Sequence, residues 1–276
     1  MDKTVVVTGA GGTLCSVVAV DFARRGYRVA LVGRTLEKLE RTAETIRSEG
    51  GRCCCLTADV TDEAAVQDVR ERVHAAFGPC SILINGAGGN QSDAVTTVNE
   101  FDPREQEPLH EGLRGFFDLD MAKFRSVLET NTMGTVIPSR VFAGDMVGLG
   151  GGSIVNFASM NTYRPLSRVP AYAMAKAGVS NFTQWLAAYL APAGIRVNAV
   201  APGFFVNERS RRLLTRPDGG LTSRGEHIIY NTPMHRFGEA AELVGCIRWL
   251  TDDEAAGFVT GVTVPVDGGF LSSPGL

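Results

Sequence analysis

Short apolar runs alternate with helical patterns along this chain. Thr4–Thr8 (TVVVT), Arg28–Val32 (RVALV), Cys53–Thr57 and Ser81–Asn85 (SILIN) come first. Ser153–Ala158, Ile195–Val200 and Val262–Val266 follow. Between them lies a helical stretch that ends at Gly26, then an amphipathic one from Leu36 to Glu49. A third helix is expected to start at Thr61 as N-cap, with Asp62 and Glu63 in its first turn. The runs are apolar throughout rather than alternating, which fits strands buried on both faces. Repeated strand–helix–strand units predict a parallel sheet with right-handed crossovers. The expected fold is therefore α/β, a doubly wound sheet of about seven parallel strands in a single domain over residues 1–276.

Two polar segments interrupt the rhythm, residues 89–119 and 203–237. Each follows a strand, at the edge where open α/β sheets bind ligands, so each is a candidate cover for a substrate. The net charge of −3 removes any nucleic-acid footprint. Six cysteines without a CxxC pair suit neither a disulfide framework nor a zinc site, so no metal is expected. The opening MDKTVVVTGA reads as strand and turn, and a cytoplasmic chain without a signal peptide is expected. Nineteen residues between Lys176 and Arg196 carry no charge. They include Asn181, Thr183, Gln184 and Pro192, which favours a buried or interface helix over a membrane span.

The candidate chemistry begins with TGAGGTLC, Thr8–Cys15, between the first strand and first helix. Small residues there admit a pyrophosphate to free helix N–H groups. Further on, Tyr172 and Lys176 stand four residues apart, so on a helix they share one face. An ammonium beside a phenol would lower the phenol's pKa toward neutrality and fit it for proton transfer. Ser159 ends an apolar run thirteen residues before Tyr172 and could orient a carbonyl. Asn131 lies on a helical stretch and could hold a water on the Lys176 side.

Asn131, Ser159, Tyr172 and Lys176 resemble the catalytic tetrad of the short-chain dehydrogenase/reductase family, in order and spacing. Asn85-Gly86-Ala87-Gly88 is similar to that family's NAG motif, Pro202-Gly203 to its PG motif, and Asp267-Gly268-Gly269 to a C-terminal signature. The glycine turn departs from the family's TGxxxGxG, with Thr13 and Cys15 at the second and third glycines; Gly11 and Gly12 stand nearby. Asn207 replaces a frequent Thr four residues after Gly203. The resemblance spans essentially the whole chain and implies a Rossmann-like, NAD(P)H-dependent ketone/alcohol oxidoreductase. It implies cofactor contacts from Thr8, Gly9, Gly11, Gly12, Thr13, Leu14, Arg34, Asp59, Val60, Asn85, Gly86, Ala87, Tyr172, Lys176, Pro202, Gly203 and Phe205. It also implies a homo-oligomer, commonly a tetramer built on the uncharged helix with Trp185 and Tyr189.

The second strand ends in Gly33-Arg34-Thr35 without a carboxylate, which favours NADP(H) over NAD(H). Alternatively, Arg34 is a solvated residue partnered by Glu37, and Asp59 merely caps a turn. Several stretches, among them INGAGGN (84–90) and SMNTYRPL (159–166), resemble a subgroup assigned as D-mannonate oxidoreductases (fructuronate reductases). Such a substrate carries a carboxylate and hydroxyls, best met by an Arg fork and amides. Asn90, Ser159, Asn161, Arg164 and Tyr172 are the substrate candidates. Arg164 reads equally well as a solvated side chain, and for Arg209 and His227, in the late loop, solvation is the simpler reading. Other keto-sugars, polyols or oxoacyl groups, and a non-catalytic nucleotide-binding regulator, are the competing readings.

Overall fold

A computed structural model describes residues 3–107, 112–206 and 214–273. The expected runs form a seven-stranded, all-parallel sheet in the order β3-β2-β1-β4-β5-β6-β7. The strands are β1 (Thr4–Thr8), β2 (Arg28–Gly33), β3 (Arg52–Thr57), β4 (Cys80–Asn85), β5 (Gly152–Phe157), β6 (Ile195–Pro202) and β7 (Thr263–Val266). Seven α-helices occur among the described residues: α1 (Thr13–Arg24), α2 (Leu36–Ser48), α3 (Glu63–Phe77), α4 (Met121–Gly148), α5 (Pro170–Leu190), α6 (Ser223–Tyr230) and α7 (Ala240–Thr251). None is long and apolar enough to cross a membrane.

Strand parity divides the apolar side chains into two cores. Val5, Val7, Ile82 and Ile84 face one layer with Phe22 of α1, Ile46 of α2 and Leu243 of α7. Val6, Leu83 and Ile154 face the other with Val69 of α3, Phe142 of α4 and Leu190 of α5. The strand order reverses between β1 and β4. Crossovers on either side leave to opposite faces there, which opens a crevice at the strands' carboxyl ends.

The third helix starts one residue later than expected. Asp62 is its N-cap and accepts from the Ala65 N–H at 3.1 Å. The Thr61 hydroxyl turns back to Asp59 Oδ1 at 2.7 Å. A carboxylate accepts more strongly than a hydroxyl, so Asp62 takes the cap.

The crevice floor rests on a buried polar network. Asn85 Nδ2 donates to Ser139 Oγ on α4 at 2.8 Å and to Asn156 Oδ1 on β5 at 2.9 Å. Asn156 Nδ2 in turn donates to Thr183 Oγ1 on α5 at 2.9 Å. Both asparagines are fully buried. The network ties β4, α4, β5 and α5 together directly beneath the ends of β4 and β5. Asn156→Ala leaves one donor of Asn85 without its partner, and is expected to cost about 1–3 kcal/mol in urea unfolding. An unchanged unfolding midpoint would show that the network carries no stability.

Candidate active site

A cleft of about 640 Å³ opens at the switch between β1 and β4. The turn after β1 forms one wall. Gly9 has φ +68°, and a Cβ there would lie 2.7 Å from the Gly86 carbonyl, so only glycine fits between the two turns. The backbone approaches α2 just as closely: a Cβ on Gly11 would meet Lys38 Cβ at 2.7 Å. The Thr42 hydroxyl holds the Ala10 carbonyl at 3.1 Å. Gly12 is the N-cap of α1, and Thr13 and Leu14 open the helix on the cleft. Their N–H groups belong to the unpaired first turn and face the space where an anion would sit.

Cys15 at the third glycine position is absorbed in an unexpected way. Its side chain is 4% exposed and lodges beneath Gly86, where an added Cβ would come within 2.1 Å of Sγ. A small apolar side chain thus fills the floor, and burial pushes its thiol up to about 12, so it stays neutral. The motif's flexibility comes from Gly9, Gly11 and Gly12 instead.

The sequence-predicted cofactor residues mostly come together. Gly9, Gly11, Gly12, Thr13, Leu14, Arg34, Asp59, Val60, Gly86, Ala87, Pro202, Gly203 and Phe205 line the cleft with Tyr172 and Lys176. The side chains of Thr8 and Asn85 support the cleft from outside its lining. The Thr8 hydroxyl accepts from the N–H groups of Gly86 and Ala87 at 3.1 and 3.2 Å, which fastens the β4 turn. Asn85 faces α4, as Leu83 does two residues earlier, and belongs to the buried network. The Asp59 carboxylate caps its own turn through Thr61, and those hydrogen bonds hold it below the usual carboxylate range. Arg34 is exposed and has no ion pair among the described residues. Glu37, its expected partner, pairs with Arg41 at 2.6 Å instead.

The opposite wall holds the tetrad. Ser159 follows β5 as N-cap of a short 3-10 turn over Met160–Thr162. Its Oγ accepts from Asn161 N and Asn161 Nδ2, both at 3.2 Å. Asn161 is buried, and its Oδ1 accepts from Leu166 N at 3.0 Å. Asn161 therefore positions Ser159 and the following loop. That loop folds back so that Leu166 and Ser167, not Arg164, line the cleft. Arg164 is exposed and lies outside the lining. Asn90 does line the cleft. His227 lies outside it, with its ring beside Asn231. Asn207 and Arg209 lie outside the described residues.

Tyr172 and Lys176 sit on α5 as their spacing predicts, with Lys176 Nζ 5.5 Å from the Tyr172 ring centroid. The electrostatics differ from the expectation. Burial pushes the Tyr172 phenol up, with its hydrogen bond to Ser159 opposing. Lys176 Nζ donates to the Phe157 carbonyl at 2.7 Å and lies over the face of the Tyr172 ring. Burial pulls the ammonium down to about 8. The phenol thus keeps its proton at neutral pH, while the ammonium beneath it is still charged.

Asn131 is fully buried and is not available to hold a water through its amide. Its Nδ2 donates to the carbonyls of Gly89 and Val127, and its Oδ1 accepts from Gly89 N at 3.2 Å. It fixes the start of the 89–119 segment, and a Cβ on Gly88 would lie 2.5 Å from it. Two cleft-lining cations went unnoticed in the sequence, Lys38 and Arg224. Lys38 stands one helical turn beyond Arg34 and was findable from that spacing. Arg224 lies in an irregular segment whose local pattern carries no signal.

The fold and this site agree with what the chain is similar to. Residues 3–216 match the short chain dehydrogenase family. The chain belongs to the short-chain dehydrogenase family. It is an NAD(P)-dependent oxidoreductase. An uncharacterized oxidoreductase, UxuB, of Bacillus subtilis (strain 168) is 44% identical over 274 residues, 99% of this chain and 96% of that one. A Haemophilus influenzae structure, provisionally named a D-mannonate oxidoreductase and holding NAD, superposes with TM-score 0.94 at 42% identity, covering 100% and 97%. An Agrobacterium tumefaciens structure, provisionally a 2-deoxy-D-gluconate 3-dehydrogenase with NADP, gives TM-score 0.80 at 28% identity, covering 98% and 96%.

Burying the Lys176 ammonium costs stability wherever it is charged. Its folded pKa, about 8, lies below the unfolded 10.5. Between those values the unfolded chain binds the extra proton, so stability rises with pH through that window and the cost is complete below pH 8. Lys176→Met is therefore expected to be more stable than the native chain at pH 7 by about 1–3 kcal/mol. The gap should narrow toward pH 10.5. Urea melts of both proteins across this range check it; a variant less stable at pH 7 would contradict the sign.

Proposed function

We propose that this oxidoreductase interconverts D-fructuronate and D-mannonate, with Tyr172 as the acid/base. The observation that carries the chemistry is Ser159, Tyr172 and Lys176 lining one cleft, with the Lys176 ammonium 5.5 Å from the Tyr172 ring centroid. The bound nicotinamide supplies or accepts the hydride at the carbonyl carbon. Ser159 and Tyr172 bond the substrate oxygen; Tyr172 gives its proton as that oxygen becomes an alcohol. The phenolate left behind is stabilised by Lys176, which also reaches the cofactor ribose. A phenol protonated at neutral pH suits the reductive direction. The uronate itself is supported by the subgroup resemblance and by the likeness to the Haemophilus structure.

The glycine cradle and the α1 N-terminus fit a dinucleotide, with Asp59 and Val60 beside the adenine and Pro202, Gly203 and Phe205 beside the nicotinamide. We favour NADP(H), because Arg34 and Lys38 line the cleft past β2 and no carboxylate stands at that strand's end. The NAD in the Haemophilus structure favours NAD(H) as the second reading. The helix α5 exposes a stack of Phe182, Trp185 and Tyr189 with ring centroids 6.2 and 5.2 Å apart. Trp185 and Tyr189 are 58% and 68% exposed, so this face fits a subunit contact in a homo-oligomer, a tetramer in our reading. Six free thiols suit a reducing cytoplasm.

NADPH and NADH oxidation with D-fructuronate tests the reaction. Tyr172→Phe is expected to lower kcat by at least about 100-fold. No turnover by the unaltered chain, or full turnover by the variant, would overturn the assignment. Arg34→Ser is expected to raise KM for NADPH about tenfold or more and to leave NADH unchanged. Equal effects on both cofactors would place Arg34 outside the 2′-phosphate site.

A further inference from the structure

The charged groups lining the cleft divide by position. Arg34, Lys38 and Asp59 stand past the ends of β2 and β3, at the far end of the dinucleotide cradle. Lys176 is committed to the Phe157 carbonyl beneath Tyr172. Arg224 is the remaining cation, and it enters from the other side, on α6 after β6. Its side chain is exposed, and the backbone that carries it is fixed. The Thr222 hydroxyl caps α6 by accepting from Gly225 N at 3.2 Å. A Cβ on Gly225 would fall 2.3 Å from the Leu214 carbonyl, so the first turn of α6 is pressed against that backbone. Arg224 has no ion pair among the described residues. The same cleft is lined by Asn90, Ser167 and the apolar Leu166, Val169 and Phe204. Asp59 is the one carboxylate in the lining, and it lies at the other end.

We infer that Arg224 is the carboxylate anchor of the substrate site, so that this enzyme selects ketones and alcohols carrying a carboxylate over neutral polyols. The inference rests on the proposed uronate reading and assigns its acid group to a residue. A guanidinium presents two parallel N–H donors that match a carboxylate, and among the described residues no ion pair occupies those of Arg224. The hydroxylated carbons between the ketone and the carboxylate then span from Tyr172 toward α6, alongside Asn90 and Ser167. Because this contact lies away from the reacting carbon, it is the same in the ground and transition states. Its loss raises KM and leaves kcat nearly intact.

The test compares D-mannonate with neutral D-mannitol on the full chain with saturating NADP⁺ or NAD⁺. Affinities are read by calorimetry and KM and kcat by cofactor absorbance. Arg224→Ala is expected to weaken D-mannonate about 10- to 100-fold in affinity and KM, with D-mannitol unchanged and kcat within about threefold. Arg224→Lys is expected to regain part of the loss. Arg164→Ala, on the outward side of the loop, is the control and should keep the full preference. Cofactor affinity, unchanged in all three, reports that the fold is intact. If Arg224→Ala keeps the preference for D-mannonate, the anchor is elsewhere and the uronate reading stands. If the unaltered enzyme binds no carboxylated sugar more tightly than its neutral counterpart, both fall.

Discussion

One hydrogen bond organises the catalytic wall: Lys176 Nζ to the carbonyl of Phe157, at 2.7 Å. It joins α5 to the end of β5, the strand that delivers Ser159. With the ammonium anchored there, Tyr172 stands over it and beside Ser159. The same burial that makes Lys176 costly gives the site its character. The ammonium is charged at neutral pH and lies against the face of the phenol ring. The phenol keeps its proton until an adjacent oxygen takes it, and the ammonium then faces a phenolate. In this arrangement Tyr172 is an acid first.

The opposite wall shows how a motif can lose its signature residues and keep its geometry. Gly9 meets the Gly86 carbonyl closely and carries the positive φ, so it cannot change. The third glycine position can, because its side chain points down into the core, not at the ligand. Cys15 fills that space, and Gly86 above it must then remain glycine. The constraint has moved from one chain segment to another. Thr8, Asn85 and Asn131 make a comparable point for the rest of the site. The Thr8 hydroxyl, the Asn85 amide N–H group and the Asn131 amide are spent on the turns, strands and helices that frame the cleft, so the residues that shape it and those that face a ligand differ.

The sheet was legible because strands buried on both faces must be apolar over their whole length, and glycines must mark their ends. The shared face of Tyr172 and Lys176 was legible because a spacing of four falls on one side of a helix, here α5. The inward turn of Asn85 was legible too, from strand parity: Leu83, two residues before, faces α4. Arg164 was not. The 3-10 turn at Met160–Thr162 and the hydrogen bond from Leu166 N to Asn161 reverse the loop, and neither leaves a periodic trace in sequence. Arg224 was hidden for the opposite reason, since its helix is eight residues long and set within an irregular connection. Long-range packing, not local pattern, brings it to the cleft.

The central claim is that burial, anchored at Phe157, sets the protonation of Lys176 and through it the behaviour of Tyr172. The direct measurement is a pH titration of the Lys176 ¹³Cε resonance in lysine-labelled protein, assigned by its absence in Lys176→Met. A midpoint near 8 is the result the structure requires. A midpoint near the ordinary lysine value, about 10.4, would show a solvated ammonium and contradict the account.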